Sequence, residues 1–261
     1  MNDYLIPWER RRKVPWNGFD VFALLLFYIV SMVYGASLML LFRGPVPPIM
    51  EVAASTQHAL SQFIQQSHGC PPALFVAFFS AVVAAPLGEE FFFRLVLQGW
   101  LEKQETLHFR RRFLPHGLPS IVFAALFFAV LHGGSRKELD VDTLFFMLLG
   151  NGIANVGSML VGIVFLRGMR GATWNDLGLR FHRLPSDFGW AILFFVLFVP
   201  SIILLNVALR NLLPETVTDP IPLFFFALAL GFLFYRTRRL AGCVLLHAML
   251  NGFSFLVVAA F

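Results

Sequence analysis

Charge is scarce in this chain. Asp, Glu, Lys and Arg supply 13% of its 261 residues, about half of what a soluble domain uses, whereas hydrophobic types supply 58%. So few charges cannot coat a water-facing surface, which excludes water as the main solvent. Cysteine is rarer still: Cys70 falls in a connection and Cys243 in an apolar run, so neither a disulfide framework nor a cysteine-based metal site is indicated. No low-complexity tract, heptad array or solenoid period is visible, which removes coiled-coil and repeat architectures. The formal net charge is +5, but the basic residues form short clusters between apolar runs and build no stripe, so no nucleic-acid partner is indicated.

What the chain does have is long apolar windows, at roughly 19–42, 72–101, 118–133, 143–166, 187–209, 220–235 and 240–261. A transmembrane helix needs about 20 mainly apolar residues, so these windows give about seven spans, the third and sixth short. They leave no room for a separate soluble domain. The expectation is an all-α fold, a polytopic transmembrane helix bundle forming one domain over 1–261, in a multi-pass integral protein of a plasma or inner membrane. The first window follows Arg10, Arg11, Arg12 and Lys13 but is too long for a secretory signal. Arg43, Gly44 and Pro45 after it offer no small-residue cleavage site, so it reads as a retained span.

Orientation follows from where the basic residues fall. The N-terminal segment and the second, fourth and sixth connections together hold fifteen of the twenty Lys and Arg, and the other connections hold four. That asymmetry places the N-terminus in the cytoplasm in a seven-span scheme. The connection between Arg167 and Asp187 reads as an amphipathic or irregular surface segment with Gly171, Gly178 and Pro185.

The remaining basic residue is Arg94, inside the second span beside Glu89 and Glu90. Charged side chains near a bilayer centre cost about 2.5–3.5 kcal/mol each, so three on one helix require pairing or a water-filled cavity. Glu90 and Arg94 stand at i and i+4 on one helix face and can pair, whereas Glu89 points about 100° away. A carboxylate left without a counter-ion in a low-dielectric surrounding is suited to general base or acid work. An ion-pair network that merely fixes helix packing is the bland alternative.

Two more spans carry polar groups. Phe128 and His132 share a face of the third, and His247 and Asn251 share a face of the last. At 1.5 Å per residue, Glu89 lies roughly 18 Å from the end of its span, His132 roughly 20 Å from Pro119, and Asn251 roughly 16 Å from Leu240, with His247 one turn shallower. Polar residues arriving at one depth from three helices are what a buried site requires. His58, His68, His108, His116 and His182 fall in connections and read as solvated surface. In the fourth span, Gly150, Asn151, Gly152, Asn155, Gly157, Ser158 and Gly162 form a small, polar stripe that reads as a packing face.

Three motifs in this order, Glu-Glu-x-x-x-Arg at Glu89, Glu90 and Arg94, Phe-x-x-x-His at Phe128 and His132, and His-x-x-x-Asn at His247 and Asn251, resemble those of the CPBP intramembrane proteases. That family includes the CAAX prenyl endopeptidases and the bacteriocin-processing and self-immunity proteins. The approach from Pro222 through Gly231, Tyr235 and Leu240 to Asn251 is similar too. The resemblance covers 72–133 and 220–261. About 114 residues separate His132 from His247, longer than the family's usual interval, so 143–209 reads as an inserted helix pair. Within it, the stretch from Thr173 to Arg180 resembles a segment that many relatives carry ahead of their core.

The resemblance implies an intramembrane endopeptidase in which Glu89, held with His132, activates a water. His247 and Asn251 would stabilise the oxyanion, and Glu90 and Arg94 would orient the base. Its partners would be a peptide or protein substrate, membrane-anchored or not, and the lipid bilayer. Glu89, His132 and His247 would also make a three-ligand zinc set with one open position, although the chain lacks the His-Glu-x-x-His helix of soluble metalloproteases. Two rival readings stay open: a proton-coupled transporter, for which no inverted repeat is visible, and a catalytically silent scaffold or immunity protein of the same fold.

Overall fold

The computed structural model describes residues 14–41, 63–64, 70–108, 115–132, 141–210, 212 and 220–260. The basic clusters 10–13 and 110–112, together with Arg43, Arg136, Lys137, His58 and His68, lie outside the described residues. The long elements are α1 (Gly18–Leu41), α2 (71–108), α3 (Leu118–Leu131), α4 (Val141–Arg170), α5 (Leu184–Arg210), α6 (Pro220–Thr237) and α7 (Leu240–Ala260). A short 3₁₀ turn, Phe181–Arg183, precedes α5. The protein is an all-helical bundle, and six of these helices are long and apolar enough to cross a membrane, α3 being the shorter apolar one.

Local chemistry fixes where α1 begins. Asn17 Oδ1 accepts from the Phe19 and Asp20 amides, while Asp20 Oδ2 accepts from the Asn17 amide, a reciprocal cap that satisfies otherwise orphaned N–H groups. Buried Asp20 then pairs with Arg170, whose Nε and Nη2 donate to Oδ1 at 2.9 and 2.7 Å, tying the start of α1 to the end of α4. The Trp16 indole donates to the Val96 carbonyl, and Lys103 Nζ donates to the carbonyls of Val14 and Trp16, which anchors the same corner to α2.

Helix α2 runs unbroken but widens twice into π-helical turns, at Phe79–Ala84 and Phe91–Gln98. Pro86 accounts for the first. It has no N–H to give and its ring crowds the carbonyl four residues back, at Val82, so the preceding turn opens. Glu89 and Glu90 lie on the short α-helical stretch Ala85–Glu90 between the two widened turns.

The polar stripe of α4 packs against α1 and α2. Asn155 Oδ1 accepts from the Tyr28 hydroxyl, its Nδ2 donates to the Asn151 carbonyl, and Ser80 Oγ donates to the Leu148 carbonyl. Approach is closest at Gly88, where an added Cβ would lie 2.3 Å from Asn155 Oδ1. Any larger residue directly before Glu89 would therefore have to displace the Asn155 side chain. Helix α5 covers the opposite side, against α6 and α7.

One end of the bundle gathers the described parts of the basic connections. Besides Asp20 with Arg170, Arg239 Nε pairs with Asp187 at 2.8 Å, the Arg238 guanidinium bonds to the Glu102 carboxylate, and the Leu240 amide donates to the Gly178 carbonyl.

Candidate active site

Helix α3 is short, so its position depends on how its ends are held. Its first residues follow Gly117, which has φ 86°, and a Cβ there would run into the Tyr235 ring at 2.1 Å, so only glycine fits. Buried Glu105 of α2 caps the new helix: Oε2 accepts from the Gly117 amide at 2.8 Å, and Oε1 accepts from the Ser120 amide at 2.7 Å and from the Ser120 hydroxyl. A carboxylate at a helix N-terminus satisfies free N–H groups and opposes the helix dipole. This contact fixes the register of α3 and hence the place of His132, which caps its far end.

Phe128 explains why a phenylalanine stands four residues before that histidine. Its carbonyl takes the His132 Nδ1 contact at 2.8 Å, and its ring stacks on the imidazole with centroids 4.1 Å apart. The same ring meets His247 edge-on at 6.0 Å and Phe93 edge-on at 5.1 Å, and it lies 5.6 Å from the Arg94 guanidinium carbon. Four groups around the site therefore share one aromatic wall.

A carbonyl oxygen can only accept, so His132 carries a proton on Nδ1 and presents Nε2 to Glu89, whose Oε2 is 3.5 Å away. His247 is fixed by the same logic. Its Nδ1 lies 2.9 Å from Glu90 Oε1, and Glu90 Oε2 accepts from Arg94 Nε at 3.1 Å. With Glu90 as the acceptor, His247 Nδ1 is the donor, and His247 Nε2 faces Glu89 Oε2 at 3.8 Å. Two imidazoles, each locked through its far nitrogen, turn their near nitrogens toward one carboxylate oxygen.

Five of the six residues singled out in the sequence, Glu89, Glu90, Arg94, His132 and His247, come together in this cluster. Asn251, one turn beyond His247 on α7, has a separate anchor: its Nδ2 donates to the Ala81 carbonyl at 2.8 Å. That carbonyl lies in the first widened turn, and the π-register N–H five residues on belongs to Pro86, which has none. The asparagine supplies the missing donor and ties α7 to α2, leaving one amide hydrogen uncommitted.

Zinc does not fit the donors as they stand. Among the described residues no group of three or more His, Cys, Asp or Glu side chains is arranged to hold a metal ion.

Sequence reasoning missed Glu105, the Phe128 carbonyl and the Pro86–Ala81–Asn251 link. It also missed Gln98 and Glu102, which continue the four-residue stride from Glu90 and Arg94 and could have been found by extending it.

A cluster of two glutamates, an arginine and His247, all buried, with half-buried His132 beside them inside an apolar helical bundle, defines the class: a membrane-embedded candidate enzyme. The family model described as type II CAAX prenyl endopeptidase Rce1-like matches residues 71–174 and 167–253. The chain belongs to this family, a family of proteases, and is an integral multi-pass membrane protein. No curated protein and no solved structure matches it.

Proposed function

We propose that the protein is an intramembrane endopeptidase in which Glu89 activates water against a peptide carbonyl. The observation that carries this reading is the convergence of His132 Nε2 and His247 Nε2 on Glu89 Oε2, at 3.5 and 3.8 Å. With Nδ1 of each ring bound to its far partner, both Nε2 atoms and the carboxylate oxygen face one another across one gap. Water, which can both donate and accept, is the species that bridges such a meeting.

In the proposed reaction Glu89, with His132 beside it, takes a proton from that water as its oxygen bonds to the substrate carbonyl carbon. The carbonyl π electrons move to oxygen. His247, its Nδ1 bound to the Glu90 carboxylate, donates from Nε2 to this oxyanion, and the Asn251 amide hydrogen not used on the Ala81 carbonyl is the second donor. Collapse re-forms the carbonyl and breaks the C–N bond, and the proton held by Glu89 passes to the leaving amine. Donors fixed in advance are worth about 10²–10³ in rate each, and a positioned base about 10²–10⁴. No step needs a metal.

Family membership points to a substrate with a prenylated C-terminal CAAX sequence. The test uses the purified full chain in lipid nanodiscs with a quenched fluorogenic farnesylated CAAX peptide and its unprenylated counterpart. Wild-type protein should release the C-terminal tripeptide from the farnesylated form, and Glu89→Gln should lose at least about a hundredfold in kcat while remaining folded. Equal cleavage by wild type and Glu89→Gln would remove the proposed role of Glu89.

A further inference from the structure

Residues 90, 94, 98 and 102 recur at every fourth position of α2, and all four are polar. Glu90, Arg94 and Gln98 are 0% exposed and Glu102 is 1% exposed. Lower rungs of this column are closed: Gln98 Nε2 donates to Glu102 Oε1 at 3.0 Å and to the Gly231 carbonyl at 2.9 Å, and the Arg238 guanidinium holds the other Glu102 oxygen. The upper rung is closed as well, by Arg94 Nε on Glu90 Oε2.

The middle rung differs. Both acceptors of Gln98 sit on its nitrogen, which settles the amide orientation and leaves Oε1 with no donor among the described residues. One turn away, Arg94 Nη1 and Nη2 have no acceptor among the described residues. Buried polar groups left unsatisfied cost about 1–3 kcal/mol each, and more when charged. Two bare cationic donors and a bare acceptor on neighbouring turns of one helix face match the bonding capacity of water. Gly231 permits the approach: a Cβ there would lie 3.1 Å from Gln98 Oε1 and 2.8 Å from Ile121 Cγ2.

We propose that Gln98 and Glu102 are positioning residues for the Glu90–His247 pair, coupled to it through Arg94 by buried water that joins the Arg94 Nη atoms to Gln98 Oε1. The inference deepens the proteolytic reading and rests on it only for the kinetic measurement. Glu90 has one oxygen on Arg94 and one on His247, so a shift of the guanidinium reaches the imidazole through a single carboxylate. The column ends at Arg238, in the connection that leads into α7 and to His247 itself.

Gln98→Met keeps volume and removes the amide. With the full chain in nanodiscs and ¹⁵N-labelled histidine, we expect the His247 Nδ1–H resonance to move. In the farnesylated peptide assay kcat should fall about tenfold with KM within about twofold, as expected for loss of orientation without loss of binding. Glu102→Gln, which keeps an acceptor for Gln98, should stay within about threefold of wild type, whereas Glu102→Met should behave like Gln98→Met and substitutes for it if that variant does not accumulate. Leu97→Ala, a buried packing change on the same turn, should lower stability and leave the resonance in place. An unmoved resonance with unchanged kcat in Gln98→Met or Glu102→Met would overturn the proposal and reduce the column to a pin between α2 and α6. Should wild-type protein cleave neither peptide, the proteolytic reading fails and the resonance alone decides the column.

Discussion

Gly88→Ala is the sharpest probe of how α4 supports the site, because it adds one methyl group next to Glu89 and touches no proposed reacting atom. The new Cβ would lie 2.3 Å from Asn155 Oδ1 and 3.0 Å from Asn155 Cβ and Cγ. The Asn155 side chain can swing away only by giving up the Tyr28 hydroxyl and the Asn151 carbonyl. Overpacking costs about 1–3 kcal/mol and each lost hydrogen bond about 1 kcal/mol, so roughly 3 kcal/mol of destabilisation is expected. If α2 yields instead, Glu89 moves relative to His132 and His247, and a displacement near 1 Å costs about a hundredfold in rate. The assay is reversible unfolding in mixed micelles with kcat measured on the same preparations, for Gly88→Ala, Asn155→Ala and the pair. Asn155→Ala removes the atoms the new methyl strikes hardest, so the double variant should be about 1–2 kcal/mol more stable than the sum of the singles predicts. Additivity within about 0.5 kcal/mol would refute the close approach of α4 to the Glu89 turn.

Glu105→Ala leaves the Gly117 amide, the Ser120 amide and the Ser120 hydroxyl without their acceptor, so stability should drop by about 1–3 kcal/mol. Glu105→Gln should recover part of the loss, and an unchanged unfolding midpoint in Glu105→Ala would dismiss the cap. Phe128→Leu keeps the carbonyl that holds His132 but loses the stacked ring, the edge contact with His247 and the wall beside Arg94. A cost of about 1–2 kcal/mol in unfolding and about tenfold in kcat is expected, and a kcat equal to wild type would show that the carbonyl alone suffices.

The parts of this molecule that obey a short period were readable in advance. Apolar windows of transmembrane length became the helices, and the Glu90–Arg94 pair formed as i,i+4 spacing implies even though the second widened turn begins at Phe91, within the pair. A depth estimate from rise per residue sufficed to bring Glu89, His132 and His247 together, because all three helices pack as one bundle. Contacts between elements obey no such period. Nothing in the spacing of Glu105 says that it caps another helix, and a backbone carbonyl such as that of Phe128 has no residue type to announce its role. Asn251 shows the same limit: its acceptor exists because a proline removed the Ala81 carbonyl's usual partner, a consequence of local backbone geometry that residue types alone do not display.

The Glu90–Arg94 pair raises the question of why a membrane helix keeps it. Desolvating two charges can cost as much as their attraction returns, and apolar residues of the same volume often replace such pairs without loss of stability. Stability is therefore a weak reason for the pair. Orientation is a stronger one. Each oxygen of Glu90 has a separate assignment, Oε2 to Arg94 and Oε1 to His247, and the second fixes which imidazole nitrogen faces Glu89. An apolar pair would fill the space and leave His247 free to turn or to bind through either nitrogen. Arg94 holds the carboxylate still, so the buried charge serves to specify which imidazole nitrogen faces Glu89 and at what ring angle, which no hydrophobic substitute of equal volume can do.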